Sequence, residues 1–134
     1  MINLILGLVV MAICLLLQSG LMVLAMRHYA RNQRFLESTT FGTSLVLVSS
    51  VMFLLVLGNL AQIIIWAALF QSLGEFTDFR AAIYHSAVNF ATLGYGDITP
   101  TTPNSRVLSA LEAVTGTLYL AVFISTLVST FRKR

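Results

Sequence analysis

The sequence has little cysteine and little charge, and it lacks the residue clusters that catalysis and metal binding usually require. Cys14 is the only cysteine among 134 residues, so no intrachain disulfide can form. No group of cysteine and histidine has metal-ligand spacing, and neither GxSxG nor the phosphate-binding GxxxxGKS occurs. A formal net charge of +3 is small for a partner of nucleic acid. These absences argue against an enzyme, a bound organic cofactor and a nucleic-acid partner.

Hydrophobic residues dominate the chain and fall into three long runs. The sequence is 57% hydrophobic and 10% charged, against roughly 25% charged in an average soluble domain. The runs are Ile2 to Met26, Phe41 to Leu73 and Val107 to Phe131, and Glu112 is their only acid. Each exceeds the roughly 20 residues that a helix needs to cross a bilayer. The first run lacks the basic start and short core of a signal peptide. The sequence therefore predicts an all-α integral membrane protein with three spans.

Basic residues orient these spans. Six of the eight lie in two clusters, with Arg27, Arg31 and Arg34 after the first run and Arg132, Lys133 and Arg134 after the third. Because short loops rich in such residues stay cytoplasmic, we expect the N-terminus outside and the C-terminus in the cytoplasm. The location expected is a plasma membrane, of the bacterial inner-membrane type. Both clusters are also candidates for contact with anionic lipid headgroups.

The segment between the second and third runs predicts a re-entrant loop. Asp78 is a candidate N-cap for a helix over Phe79 to Ala91, which at about 20 Å is too short to span. The run Thr92 to Asp97, with the sequence TLGYGD, follows it. Irregular backbone at membrane depth occurs only where protein buries it or where it lines a water-filled path. Gly94 and Gly96 can adopt positive φ, which allows successive carbonyl groups to face one way.

The TLGYGD run resembles TVGYGD, the selectivity-filter signature of the tetrameric potassium channels, with Leu93 where valine is usual. The resemblance covers residues 43 to 131 as outer helix, pore helix, filter and inner helix. It implies a homotetramer, since a closed ring of carbonyl groups needs four equivalent loops. The implied function is passive K⁺ conduction, with K⁺ as the permeating ligand and no other cofactor. Residues 1–40 would then be an added helix and basic linker, and residues 41–134 the pore domain.

The resemblance also implies a role for each residue of the filter. The carbonyl groups that coordinate K⁺ would come from Thr92, Leu93, Gly94 and Tyr95, and the outer mouth would be shaped by Gly96 and Asp97. The side chains of Leu93 and Tyr95 would turn away from the axis and pack against the pore helix. Two positions depart from the family: Ala91 stands where threonine is frequent, and Val88 where some members have glutamate. Both concern the rigidity of the filter and not its coordinating oxygens.

Two residues of the third run are further candidates. Gly116 falls where many potassium channels have a hinge glycine, and close helix packing is the alternative reason for a glycine there. Glu112 is an acid inside a span and thus a functional candidate, either as a structural partner or as a gating residue. In either role it is expected to face the pore helix, near His85, Ser86 or Asn89.

Two other functions remain open at this point. One is a weakly selective or non-conducting pore-loop protein, which the residues at positions 88 and 91 allow. The other is a small membrane scaffold or regulatory subunit in which the glycine-containing run is only a turn. Replacing Gly94 by alanine separates the second alternative from a channel. In a channel the substitution should abolish K⁺ flux, whereas in a scaffold it should leave partner binding intact.

Overall fold

The computed structural model describes residues 2–32 and 41–132, which form four helices. These are α1 (Ile2–Asn32), α2 (Phe41–Ser72), α3 (Phe79–Phe90) and α4 (Pro103–Arg132). No strand occurs within those two ranges. Three helices are long and apolar enough to cross a membrane, over Ile2–Arg31, Leu45–Ser72 and Pro103–Thr126. The prediction of an all-α fold with three spans and one short helix is confirmed.

Helix α1 continues beyond its apolar run. Arg27 and Arg31, which follow the apolar run, lie on the last turns of the helix and are exposed. Basic side chains suit this position because the C-terminal end of a helix carries a partial negative charge. Arg34, Lys133 and Arg134 of the predicted clusters lie outside the described residues.

The first helix packs along the last one, and the two run parallel. Near the start of both, a Cβ added to Gly7 would overlap the side chain of Leu108. About three turns further on, Gln18 Nε2 donates to the carbonyl oxygen of Leu118 at 3.4 Å. Small residues allow such close approach, which is how helices associate where lipid removes most of the hydrophobic driving force.

Helix α2 runs in the opposite direction to both. His28, near the end of α1, lies 3.1 Å from the Ser50 hydroxyl near the start of α2. Tyr119 of α4 donates its hydroxyl proton to the carbonyl oxygen of Leu55, which ties α4 to α2. The start of α1 therefore lies at the same end of the bundle as the start of α4. The turns that carry Arg27 lie at the opposite end.

The short helix α3 fills the space between α2 and α4. It begins where predicted, because Asp78 Oδ1 accepts from the backbone N–H of Arg80 at 2.9 Å and so caps the first turn. It ends at Phe90, with Ala91 as C-cap. Its buried side of Ala82, His85, Ser86 and Phe90 faces a core that includes Trp66, Phe70 and Leu108.

Candidate functional site

The first residue of the TLGYGD run, Thr92, ends helix α3 at a position that glycine usually occupies. Thr92 N donates to Asn89 O at 2.9 Å, and Leu93 N donates to Val88 O at 2.9 Å. This pair of bonds closes α3 as a Schellman motif. Thr92 occupies its left-handed corner with φ 57°, where a β-branched residue is an outlier. Backbone strain of this kind is often found at functional positions. Threonine at position 92 provides a hydroxyl group that glycine would lack.

Both glycines of the run have the positive φ that their positions suggest. Gly94 has φ 59° and Gly96 has φ 73°. A Cβ at Gly94 would meet nothing within 4 Å, and one at Gly96 would meet only the Gly94 oxygen at 4.0 Å. Backbone conformation, and not lack of space, therefore requires glycine at these two positions.

The side chains of the run are exposed in the single chain. Leu93 is 57% exposed and Tyr95 is 66% exposed. Both side chains are thus largely uncovered, and their packing against the pore helix, which the resemblance implies, stays a prediction. A cavity of about 450 Å³ lies behind the run, with Gly94 and Gly96 on one side and His85, Asn89, Arg106 and Ser109 among the residues on the other.

Asp97 is hydrogen-bonded to Tyr84 of α3, a residue that no sequence pattern indicated. Tyr84 Oη donates to Asp97 Oδ2 at 2.7 Å, and Ile98 N donates to Oδ1 at 3.0 Å. The hydrogen bond from Tyr84 is the main cause that lowers the pKa of Asp97 below its ordinary value. The carboxylate is therefore ionised at neutral pH. Tyr84 thus supplies a hydrogen bond that Val88, one turn later on α3, cannot make.

His85 connects the end of the run to α4. Its Nδ1 lies 2.9 Å from the carbonyl oxygen of Ile98, and its Nε2 lies 3.0 Å from Ser109 Oγ. Since a carbonyl only accepts, Nδ1 carries the proton, and in the neutral ring Nε2 accepts from the serine hydroxyl. Phe70 and Phe76 hold the ring in place, with centroids 5.0 and 5.3 Å away.

Glu112 faces α3, beside Asn89 and Ser86 of the three residues considered for it. Asn89 Nδ2 donates to Glu112 Oε2 at 2.9 Å and to the carbonyl oxygen of Ser109 at 2.5 Å. Glu112 is fully buried, as is Ser86 beside it. Among the described residues, Glu112 Oε1 and Ser86 Oγ have no hydrogen-bond partner of good geometry. The contact with Asn89 supplies a structural role, and a gating role stays a prediction.

Gly116 lies where α4 crosses the end of α3. A Cβ at this position would overlap the carbonyl group of Phe90 and lie 2.8 Å from its carbon. Close approach of the two helices is thus a sufficient reason for glycine. The hinge role of Gly116 stays a prediction.

Glu75 joins the end of α2 to the start of α4. Its carboxylate accepts from the N–H and hydroxyl groups of Thr101 and Thr102 and from Ser105 Oγ, at 2.5 to 3.3 Å. Burial alone would raise its pKa, but the hydrogen bonds from Thr102, Ser105 and Thr101 outweigh burial and lower the pKa to about 2. These contacts fix the segment that leaves the TLGYGD run.

The same contacts explain why α4 begins earlier than its apolar run. Thr102 Oγ1 accepts from Ser105 N at 3.4 Å, and Pro103 occupies the first helical position. Proline suits that position because its missing N–H is not needed there. The Thr-Pro-x-Ser pattern could have predicted this start, whereas the partner Glu75 lies too far away in sequence.

Comparison with known proteins points to one family. A protein family described as "Ion channel" matches residues 52–133, more than half of the chain. The human and rat proteins named A-type voltage-gated potassium channel KCND3 are each 29% identical over 73 residues, or 54% of this chain. Two-pore potassium channel 4 of Arabidopsis thaliana is 39% identical over 51 residues, or 38% of this chain. The matched segments span only 11% and 18% of those relatives. No solved structure matches the chain significantly.

Proposed function

The chain belongs to the ion channel family, and we propose that four copies of it form a potassium-selective pore. The observation that carries this proposal is the alternation of φ along the run. Thr92, Gly94 and Gly96 have positive φ, whereas the intervening Leu93 and Tyr95 do not. In a strand, successive peptide groups turn to opposite sides, but this alternation allows them to turn the same way. Carbonyl oxygens on one side can replace the hydration shell of K⁺.

The form of the filter supports the proposed homotetramer. One chain supplies one set of carbonyl groups, and a closed ring needs equivalent loops from further copies around an axis. The exposed side chains of Leu93 and Tyr95 beside the 450 Å³ cavity support this assembly, because a neighbouring copy would bury them. The three relatives are named as potassium channels, which supports K⁺ as the permeating ion.

The proposed mechanism has no chemical step. Asp97, ionised at the outer mouth, attracts cations, and K⁺ loses water as it enters carbonyl sites formed by Thr92 to Tyr95. The end of α3 is closest to Thr92, and its partial negative charge stabilises a cation there. Repulsion between ions in adjacent sites then moves them along the filter.

The proposed orientation places the filter mouth outside and both basic clusters in the cytoplasm. The exposed Arg27 and Arg31 lie at the end of the bundle opposite the start of α4, as this orientation requires. We assign them, together with Arg132 and the terminal basic residues, to contact with anionic lipid headgroups. Residues 41–134 then form the pore domain, and α1 packs against it from one side.

Recording from the reconstituted full chain tests the proposal. With K⁺ on one side of a planar bilayer and Na⁺ on the other, we expect the current to reverse near the K⁺ equilibrium potential. Current that reverses near zero would indicate a weakly selective pore and contradict selectivity. Absence of current from correctly folded protein would favour the scaffold alternative.

A pair of glycine substitutions gives the matched control. Gly94→Ala should abolish K⁺ current, because alanine disfavours the φ of 59° that the filter requires. Gly74→Ala introduces the same strain, at φ 74°, in the turn between α2 and α3, where an added Cβ also meets nothing within 4 Å. We expect Gly74→Ala to conduct and to retain selectivity. Equal loss in both variants would indicate misfolding and not a filter defect.

A further inference from the structure

We infer that Ser109 of α4 is a positioning residue that holds both ends of the filter, through His85 and Asn89 of α3. The inference rests on the proposed function, since it concerns how the filter keeps its geometry. Ser109 lies outside the filter, and the resemblance to potassium channels assigns it no role. Its importance follows from two separate hydrogen-bonded links that meet at this one residue.

The first link reaches the outer end of the filter. The carbonyl oxygen of Ile98, directly after Asp97, accepts from His85 Nδ1 at 2.9 Å. The other ring nitrogen accepts from the Ser109 hydroxyl at 3.0 Å. The serine hydroxyl could instead donate to its own helix at Ser105 O, but that distance is longer, 3.3 Å. The shorter contact makes the imidazole a bridge between filter backbone and α4.

The second link reaches the inner end. Thr92 N donates to the carbonyl oxygen of Asn89 at 2.9 Å, so Asn89 holds the first residue of the filter through its backbone. Its side-chain amide uses one proton for Ser109 O at 2.5 Å and the other for Glu112 Oε2 at 2.9 Å. Asn89 is thereby fixed to α4 by two bonds.

Because their polar atoms are buried, these two hydrogen-bonded links resist changes in the positions of the residues that they join. His85 is 6% exposed and Glu112 is fully buried, so a polar atom of either side chain that loses its partner is costly, although His85 and Asn89 also line the cavity behind the run. A movement of α4 at Ser109 would therefore displace both ends of the filter together. The spacing of the filter ends is then set by α4 and not by the run alone.

The functional test measures how fast the K⁺ current through a bilayer declines at constant voltage. Ser109→Ala removes the hydroxyl that reaches His85, and we expect K⁺ current at constant voltage to decline about fivefold faster, the factor expected from one hydrogen bond. Ser109→Thr keeps a hydroxyl and should decline at nearly the wild-type rate. The control is Thr115→Val on the same helix, because within residues 2–32 and 41–132 the Thr115 hydroxyl bonds only to Leu111 O of its own helix, at 2.8 Å. It should behave as the wild type.

A double variant separates this link from general damage. His85→Phe keeps an aromatic ring between Phe70 and Phe76 but removes both ring nitrogens. If the two residues act through one bond, Ser109→Ala should add little to the decline already caused by His85→Phe. A double variant whose current declines about fivefold faster again than that of His85→Phe alone would overturn the inference. So would a Ser109→Ala variant that matches Thr115→Val.

Hydrogen–deuterium exchange of the full chain in nanodiscs tests the link without any conduction. Peptides covering residues 92–99 should exchange about fivefold faster in Ser109→Ala than in wild type or Thr115→Val. Faster exchange in a protein that does not select K⁺ would reject the proposed function and keep the inference. A selective wild type whose filter peptides and current are unaffected by Ser109→Ala would reject the inference alone.

Discussion

Gly116 of α4 lies directly against the carbonyl group of Phe90, the last residue of α3. A Cβ at position 116 would overlap that carbonyl group, and the opposing atoms are backbone, which cannot turn aside as a side chain would. Gly116→Ala should therefore separate the helices and lower stability by about 1–3 kcal/mol, as overpacking usually does. Thermal unfolding of the detergent-solubilised protein measures the effect.

Gly20→Ala is the control for Gly116→Ala. An added Cβ at Gly20 of α1 meets nothing within 4 Å, so alanine should raise stability by about 0.5–1 kcal/mol through its helix propensity. If Gly116→Ala unfolds at the wild-type temperature and yet changes opening, close packing is not the reason for the glycine. The hinge prediction would then gain support.

Glu75 should make the stability of the folded protein depend on pH in the acidic range. Its pKa is lowered from 4.5 to about 2 by hydrogen bonds that exist only in the folded protein. A lowered pKa stabilises the folded state fully above the unfolded value, and this stabilisation is lost as pH falls from about 4.5 to about 2. Glu75→Gln should therefore unfold at a lower temperature than wild type at pH 7. The difference should shrink below pH 4.5, and a difference that stays constant down to pH 2 would contradict this role.

Local features of the fold could be predicted from sequence because they depend on neighbouring residues. The Asp78 cap, the length of α3 and the positive φ of Gly94 and Gly96 all follow from side-chain type and order along the chain. The three spans follow from uninterrupted apolar runs. The same rules do not indicate the positive φ of Thr92, because a helix stop of this type normally uses glycine.

Contacts between distant segments could not be predicted in the same way. Glu75 and Thr102 are 27 residues apart, and His85 and Ser109 are 24 apart. Which residue of α4 faces α3 depends on the rotation of a helix that is apolar on nearly every side. Tyr84 was missed for a related reason, since its hydroxyl reaches Asp97 only after the filter has turned back along α3.

Tyr84→Phe should make conduction more sensitive to acid. The hydrogen bond from Tyr84 keeps the pKa of Asp97 below its ordinary value of 3.8, so wild-type Asp97 stays ionised to a lower pH. Without that bond the pKa rises, and protonation should reduce K⁺ current at a higher external pH than in wild type. Single-channel current against pH measures the midpoint. Tyr29→Phe, on α1 and away from the filter, should leave it unchanged, and equal midpoints in Tyr84→Phe and wild type would contradict the prediction.

Thr92→Gly should separate stability from ion binding. Glycine adopts a φ of 57° without the strain that threonine has there, so the protein should gain about 1 kcal/mol of stability in K⁺-free buffer. The same change removes the hydroxyl proposed for the innermost ion site and should weaken K⁺ binding. Thermal unfolding across a K⁺ titration measures both effects, because a ligand stabilises the state that binds it. We expect a higher unfolding temperature without K⁺ and a smaller rise with K⁺ than in wild type.

Thr99→Gly provides the comparison for this last variant. Thr99 is also exposed and close to the filter, but its φ is not positive, so glycine relieves no strain there. It should lower stability slightly, because glycine increases the freedom of the unfolded chain, and it should leave the stabilisation by K⁺ intact. If K⁺ stabilises Thr92→Gly as strongly as it stabilises wild type, the Thr92 hydroxyl does not contribute to the proposed ion site. One that is no more stable than Thr99→Gly would show that Thr92 is held in its left-handed conformation without strain.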